Sequence, residues 1–127
     1  MEAEKRARIL LADDHAAALA QATRVLAEHF DIAGTVVNGQ ELVDAAARLD
    51  PDVIVTDITM PVMDGFEAAR RLRDAGCHSR LVFLTVWEDP DFAREALRLG
   101  ADGYVVKARL AVDLVPAIAA ALERSEP

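Results

Sequence analysis

A chain of 127 residues, 53% hydrophobic and 28% charged, is long enough for one packed domain and too apolar to remain disordered. Its formal net charge of −8 argues against a broad basic face for nucleic acid. No apolar run approaches the ~20 residues of a membrane span, the start Met1-Glu-Ala-Glu-Lys5 lacks the apolar stretch of a signal peptide, and the single Cys77 excludes an internal disulfide and suits a reducing cytoplasm.

In chain order, Arg8–Ala12 (RILLA) reads as a first strand, with Asp13-Asp14-His15 at its carboxyl end. Ala16–His29 carries Leu19, Thr23, Leu26 and Phe30 near helical spacing. Asp31–Val37 reads as a second strand, with Gly34 marking a bulge or a close approach. Asn38-Gly39 is turn chemistry, and the helix Gln40–Leu49 must stop before Pro51. Val53–Thr56 is a continuous apolar or β-branched run, as in a strand buried on both faces of a parallel sheet.

That strand delivers Asp57 at its carboxyl end, where open α/β sheets place their ligands. Pro61 blocks helix and constrains Met60, and Asp64-Gly65 closes the loop and caps the next helix. That helix, Phe66–Ala75, puts Arg70, Arg71 and Arg73 largely outside as a solvated charge run, and Gly76 ends it. Leu81–Thr85 is the fourth strand. Asp89-Pro90 predicts an N-cap followed by proline at the first helical position, Asp91–Leu99 the fourth helix, and Gly100 its C′ residue. Gly103–Val106 is the fifth strand, ending at Lys107, and Ala111–Arg124 is the last helix. Pro116 falls inside that last pattern, which is easiest to accommodate if regular helix begins near Leu114 or Val115.

Five strand–helix units in strict alternation predict one domain over residues 1–127, with a parallel sheet covered by helices on both faces. The strand ends then converge. Asp13 and Asp14 come from the first, Asp57 from the third, Thr85 from the fourth and Lys107 from the fifth. Three packed carboxylates repel, and a hard divalent cation such as Mg²⁺ resolves an oxygen-only set while keeping positions open for phosphate oxygens. An ammonium and a hydroxyl beside them suit a transferring phosphoryl group, with Asp57 as the nucleophile. Lysine occurs only at Lys5 and Lys107 against 12 arginines, so Lys107 marks a demand for a compact, mobile ammonium rather than a solvated strand end. His15 fits a surface or capping role better than metal ligation, and Cys77 and His78 read as a passive loop.

Asp13-Asp14-His15, TDITMPVMDG (Thr56–Gly65), LTVWED (Leu84–Asp89) and GADGYVVK (Gly100–Lys107) closely resemble the receiver domain of bacterial two-component response regulators, in order and over nearly the whole chain. The opening and the K-x-x-L-x-x-D-L-x-x-A-I ending are most similar to the NarL/FixJ-type subfamily, which usually carries a LuxR-type helix-turn-helix output domain. The resemblance implies a flavodoxin-like (βα)5 fold, a doubly wound five-stranded parallel sheet of strand order 2-1-3-4-5. It implies that Asp57 accepts a phosphoryl group from a sensor histidine kinase, with only self-catalysed phosphoryl transfer and autodephosphorylation. It implies that Asp14 and Asp57 bind Mg²⁺ (or Mn²⁺) directly, Asp13 largely through water, and Thr59 through its backbone carbonyl. Lys107 and Thr85 would contact the phosphoryl oxygens, and Thr85 and Tyr104 would form a switch pair feeding the face of the fourth helix, fifth strand and fifth helix. The partners implied are the kinase, a second copy on phosphorylation, and DNA only through a separate output domain, since this chain reads as a stand-alone receiver or one cut from a longer protein.

Departures from the pattern are Ala108 in place of the usual proline after Lys107, which puts the usual cis peptide in doubt, and Val86, bulkier than the usual small residue and expected to narrow access. Trp87 either shields the acyl phosphate or packs on the fourth helix, packing being the stronger reading. A hydrolase of the haloacid-dehalogenase type would need a second aspartate where Thr59 stands. A flavodoxin-like cofactor binder would need glycines and hydroxyls where Asp13-Asp14 would repel phosphate. A receiver-like interaction module without phosphorylation is opposed by the intact five-residue site.

Overall fold

Short aliphatic runs alternate with amphipathic stretches, and the inner runs become strands because both of their faces are covered. The computed structural model describes residues 6–124; Met1–Lys5, including the start read as lacking a signal peptide, and Ser125–Pro127 lie outside the described residues. The elements are β1 (Arg8–Ala12), α1 (Ala16–Ala27), β2 (Asp31–Val36), α2 (Gly39–Leu49), β3 (Val53–Thr56), α3 (Gly65–Asp74), β4 (Arg80–Thr85), α4 (Pro90–Arg98), β5 (Gly103–Val106), a 3-10 turn Lys107–Arg109, and α5 (Leu110–Glu123). All neighbouring strands are parallel, in the order β2-β1-β3-β4-β5 that the family resemblance implied.

Side-chain alternation splits the core into two layers. Leu10, Ile54, Leu81 and Phe83 pack with residues of α2, α3 and α4. Ile9, Leu11, Val53, Val55, Val82, Leu84 and Val105 pack with α1 and α5. β3, central and buried at all four positions, contributes to both. The sheet therefore presents its carboxyl edge as a fixed row of strand ends.

Helix boundaries follow local chemistry. Asp64 and Asp89 cap α3 and α4 through Glu67 N–H and Asp91 N–H, with Pro90 just inside α4. Asn38, read as turn chemistry, is the N-cap of α2, accepting Glu41 N–H at 2.8 Å. Gly76 and Gly100 follow α3 and α4 with φ +82° each, as expected for left-handed C′ positions. In β2 the extra residue is Ala33, since Ile9 faces Ile32 while Leu10 faces Gly34.

Two expectations are corrected. Regular helix does not wait for Leu114: α5 begins at Leu110 and contains Pro116 in its interior. The proline is exposed, and the i−4 carbonyl it cannot serve belongs to the exposed Val112, on the solvent side of the helix. Arg73 is not part of a solvated run. Its guanidinium donates to the carbonyls of Cys77 (3.2 Å), Ser79 (3.1 Å) and Gly100 (3.3 Å), tying the end of α3 to the end of α4. Among the described residues there is no cis peptide, so Lys107–Ala108 is trans.

Candidate functional site

β1 and β3 each extend one backbone hydrogen bond past their ends, Asp13 N–H to Val36 carbonyl (3.0 Å) and Asp57 N–H to Ala12 carbonyl (2.9 Å). These bonds fix where both carboxylates leave the sheet. Asp13 and Asp57 are buried side by side, with side chains 5% and 4% exposed. The Lys107 ammonium, 12% exposed, bridges them at 2.7 Å from Asp13 Oδ2 and 2.9 Å from Asp57 Oδ2. The other oxygen of each accepts a backbone N–H: His15 N–H to Asp13 Oδ1 at 2.9 Å, Ile58 N–H to Asp57 Oδ1 at 2.7 Å. Burial alone would lower the Lys107 pKa, but its hydrogen bonds to the Asp13 and Asp57 carboxylates, with their charges, outweigh it and hold the group above its ordinary value.

Asp14 stands at the rim, its side chain 32% exposed. One donor atom each from Asp13, Asp14, His15 and Asp57 lies within 4.8 Å of the others. Three carboxylates and one ammonium leave a formal charge of two negative at the site. That charge and the oxygen-rich donor set fit a hard divalent cation. His15 is the member the sequence reading left out of the cluster. Its signal was only adjacency to Asp14, because the direction of its ring depends on the entry into α1.

The loop between β3 and α3 is tightly held. Met63 N–H bonds Pro61 carbonyl at 2.7 Å, a γ-turn about Val62 at φ +72°. A β-branched residue in that region is strained by about 1–3 kcal/mol and persists only where neighbours impose it. Here Met63 carbonyl accepts Gly39 N–H at 2.9 Å, and Gly65 N–H donates to Ile58 carbonyl at 2.6 Å. A Cβ at Gly65 would stand 2.1 Å from the Asp57 carbonyl oxygen, so only glycine lets α3 start this close to the acceptor strand.

On the other side, Thr85 is fully buried and its Oγ1 accepts Trp87 N–H at 3.3 Å. Trp87 does more than the packing expected of it. It stacks on Phe92 of α4 (5.0 Å, 9°), and its indole N–H crosses to Thr59 Oγ1 at 3.0 Å. Thr59 thus meets the loop after β4 through its hydroxyl. Tyr104 faces Phe83 across the β4–β5 ladder, on the same sheet face as Thr85, and its hydroxyl donates to Trp87 carbonyl at 2.7 Å. Burial, then the charges of Asp89 and Asp57, raise its pKa. Val86, expected to narrow access to the site, is 60% exposed.

The response regulator receiver domain family matches residues 9–119. The chain is 38% identical over 93 residues to the Bacillus subtilis (strain 168) transcriptional regulatory protein YvfU, covering 73% of this chain and 46% of that one. It is 33% identical over 120 residues to the Escherichia coli (strain K12) nitrate/nitrite response regulator protein NarL, covering 93% and 56%. A two-component response regulator of the LuxR family from Aurantimonas sp. SI85-9A1 superposes with a TM-score of 0.87 at 31% identity, covering 93% of this chain and 86% of that one. The chain spans about half the length of the curated relatives it matches.

Proposed function

The chain belongs to the response regulator receiver domain family, and from that premise we propose that Asp57 is its phosphoryl acceptor, taking the group from a phosphohistidine of a sensor kinase. An Asp57 carboxylate oxygen forms the new O–P bond as the N–P bond of the donor breaks, and the imidazole leaves with the electron pair. Asp13, Asp14, Asp57 and the Thr59 carbonyl would hold Mg²⁺ (or Mn²⁺), which when bound offsets the charge of the incoming phosphoryl oxygens. Lys107 supplies the positive charge that belongs to the protein itself, and Thr85 supplies a hydroxyl to a phosphoryl oxygen.

The observation that carries this reading is the Lys107 ammonium held at 2.7 and 2.9 Å between two buried carboxylates at the strand ends. When a phosphoryl group draws the Thr85 hydroxyl, the Trp87 N–H loses its acceptor and the loop that anchors Tyr104 is released. Two arrangements that differ in their contacts with phosphate are what a population switch requires. The face of α4, β5 and α5 then passes the change to a second copy or to an output domain acting on transcription, with DNA reached only through that domain. Phosphotransfer and slow dephosphorylation are self-catalysed in this proposal, and the setting is the cytoplasm.

The test is incubation with acetyl phosphate and Mg²⁺ followed by intact mass measurement. One phosphoryl group should be added to the native chain and none to Asp57→Asn. Equal labelling of the two would place the acceptor elsewhere.

A further inference from the structure

We propose that His15 is a nitrogen donor to the divalent-cation site, so that this site holds transition ions such as Co²⁺ and Ni²⁺ more tightly than its carboxylates alone would, without a matching gain for Mg²⁺. This rests on the receiver reading of the same site. His15 occupies the N-cap position of α1, with extended backbone (φ −93°, ψ 109°), yet its side chain makes no cap hydrogen bond. The usual N-cap residues turn a side-chain oxygen onto the first free N–H groups of the helix. The imidazole instead turns toward the strand ends. Its Nδ1 lies 3.4 Å from Asp13 Oδ1, 3.4 Å from Asp14 Oδ1 and 4.0 Å from Asp57 Oδ2.

The backbone N–H of the same residue holds Asp13 Oδ1 at 2.9 Å, so one residue both orients a carboxylate and aims a nitrogen beside it. The ring is 66% exposed and reaches the cluster from the solvent side, where it does not displace Lys107 from between Asp13 and Asp57.

Ligand chemistry then separates the ions. Mg²⁺ is small and hard, prefers oxygen and keeps several waters, so an imidazole adds little to its binding. Imidazole suits the later first-row ions, whose affinities for nitrogen donors rise from Mn²⁺ through Co²⁺ to Ni²⁺.

Trp87 is the sole tryptophan and is bonded to Thr59, two residues after Asp57, so its fluorescence should respond to occupancy. The experiment titrates the full chain with MgCl₂ and separately with CoCl₂, by Trp87 fluorescence and calorimetry, and records the visible Co²⁺ spectrum. His15→Ala should weaken Co²⁺ binding about tenfold or more and shift the Co²⁺ bands as a nitrogen donor is lost, while Mg²⁺ affinity stays within about twofold. His15→Gln, which offers oxygen but no imidazole, should behave like His15→Ala. Equal effects on the two ions, or no effect on Co²⁺, would overturn the proposal while leaving the cation site in place. Failure of the native chain to bind either ion would overturn the underlying metal reading as well.

Discussion

Asp14→Asn should stabilise the protein in EDTA and remove its stabilisation by Mg²⁺. Asp14 lies within 4.8 Å of donor atoms of both Asp13 and Asp57, and a single ammonium serves that pair. Two like unit charges at that distance repel by about 3.5 kcal/mol at an effective dielectric of 20, and by about 0.9 kcal/mol at 80. With a third of its side chain exposed (32%), Asp14 lies between those limits, and its attraction to Lys107 offsets part of the repulsion. A net gain of about 1–2 kcal/mol is expected, or roughly 4–10 °C in Tm for a domain of this size. Mg²⁺ should close most of that gap. At a free concentration about tenfold above Kd, the native chain gains about 1.4 kcal/mol, whereas the variant lacks the ligand that would let it follow. Thermal unfolding by circular dichroism, in low-salt buffer with EDTA or with Mg²⁺, measures both effects. A variant less stable than the native chain in EDTA would show that Asp14 is not crowded by the buried pair, and one that keeps the native Mg²⁺ response would show that Asp14 is not a metal ligand.

Tyr104 is the only tyrosine, so tyrosinate absorbance titrates it alone. Its folded pKa is raised, by burial first and then by Asp89 and Asp57. The folded state therefore keeps the neutral phenol, and this contribution to stability is intact below the unfolded value near pH 10 and lost as pH rises past it. Folded protein should ionise at higher pH than protein in concentrated urea, and coincident curves would contradict the half-buried, acid-flanked setting. Val62→Gly should raise the urea midpoint, because a β-branched residue at φ +72° and 80% exposure carries backbone strain and little packing. Relief of that strain, less the extra unfolded-chain entropy of glycine, leaves a gain of about 1 kcal/mol. A lower midpoint would mean that the Val62 side chain contributes contacts that outweigh the turn.

The pattern of the chain already determined the elements and a parallel sheet covered on both faces. A run such as Val53–Thr56 has no polar face to turn to water, so it can only be an inner strand of a covered sheet. Asp64, Asp89-Pro90, Gly76 and Gly100 mark helix ends through bonds that span only a few residues, which is why they are legible without the tertiary structure. The convergence of Asp13, Asp14, Asp57 and Lys107 was legible for a related reason. Each sits at a strand's carboxyl end, and a parallel sheet brings those ends to one edge whatever the side chains do.

What the pattern left open depends on direction and distance together. Arg73 looked like its neighbours Arg70 and Arg71, and only the approach of the α3 and α4 ends shows it the carbonyls of Cys77, Ser79 and Gly100. Pro116 looked like a helix start, but packing of Leu110, Leu114 and Ile118 against the sheet sustains α5 through the one bond that proline removes on its exposed side. Trp87 could be read as packing from its size, whereas its bond to Thr59 requires two loops 28 residues apart to meet. His15 joins the carboxylates because the chain enters α1 with an extended residue that points its ring back over the strand ends. Residue type and spacing set the elements through short-range forces, but a rotamer that serves a partner far along the chain is chosen only once the sheet has brought that partner near.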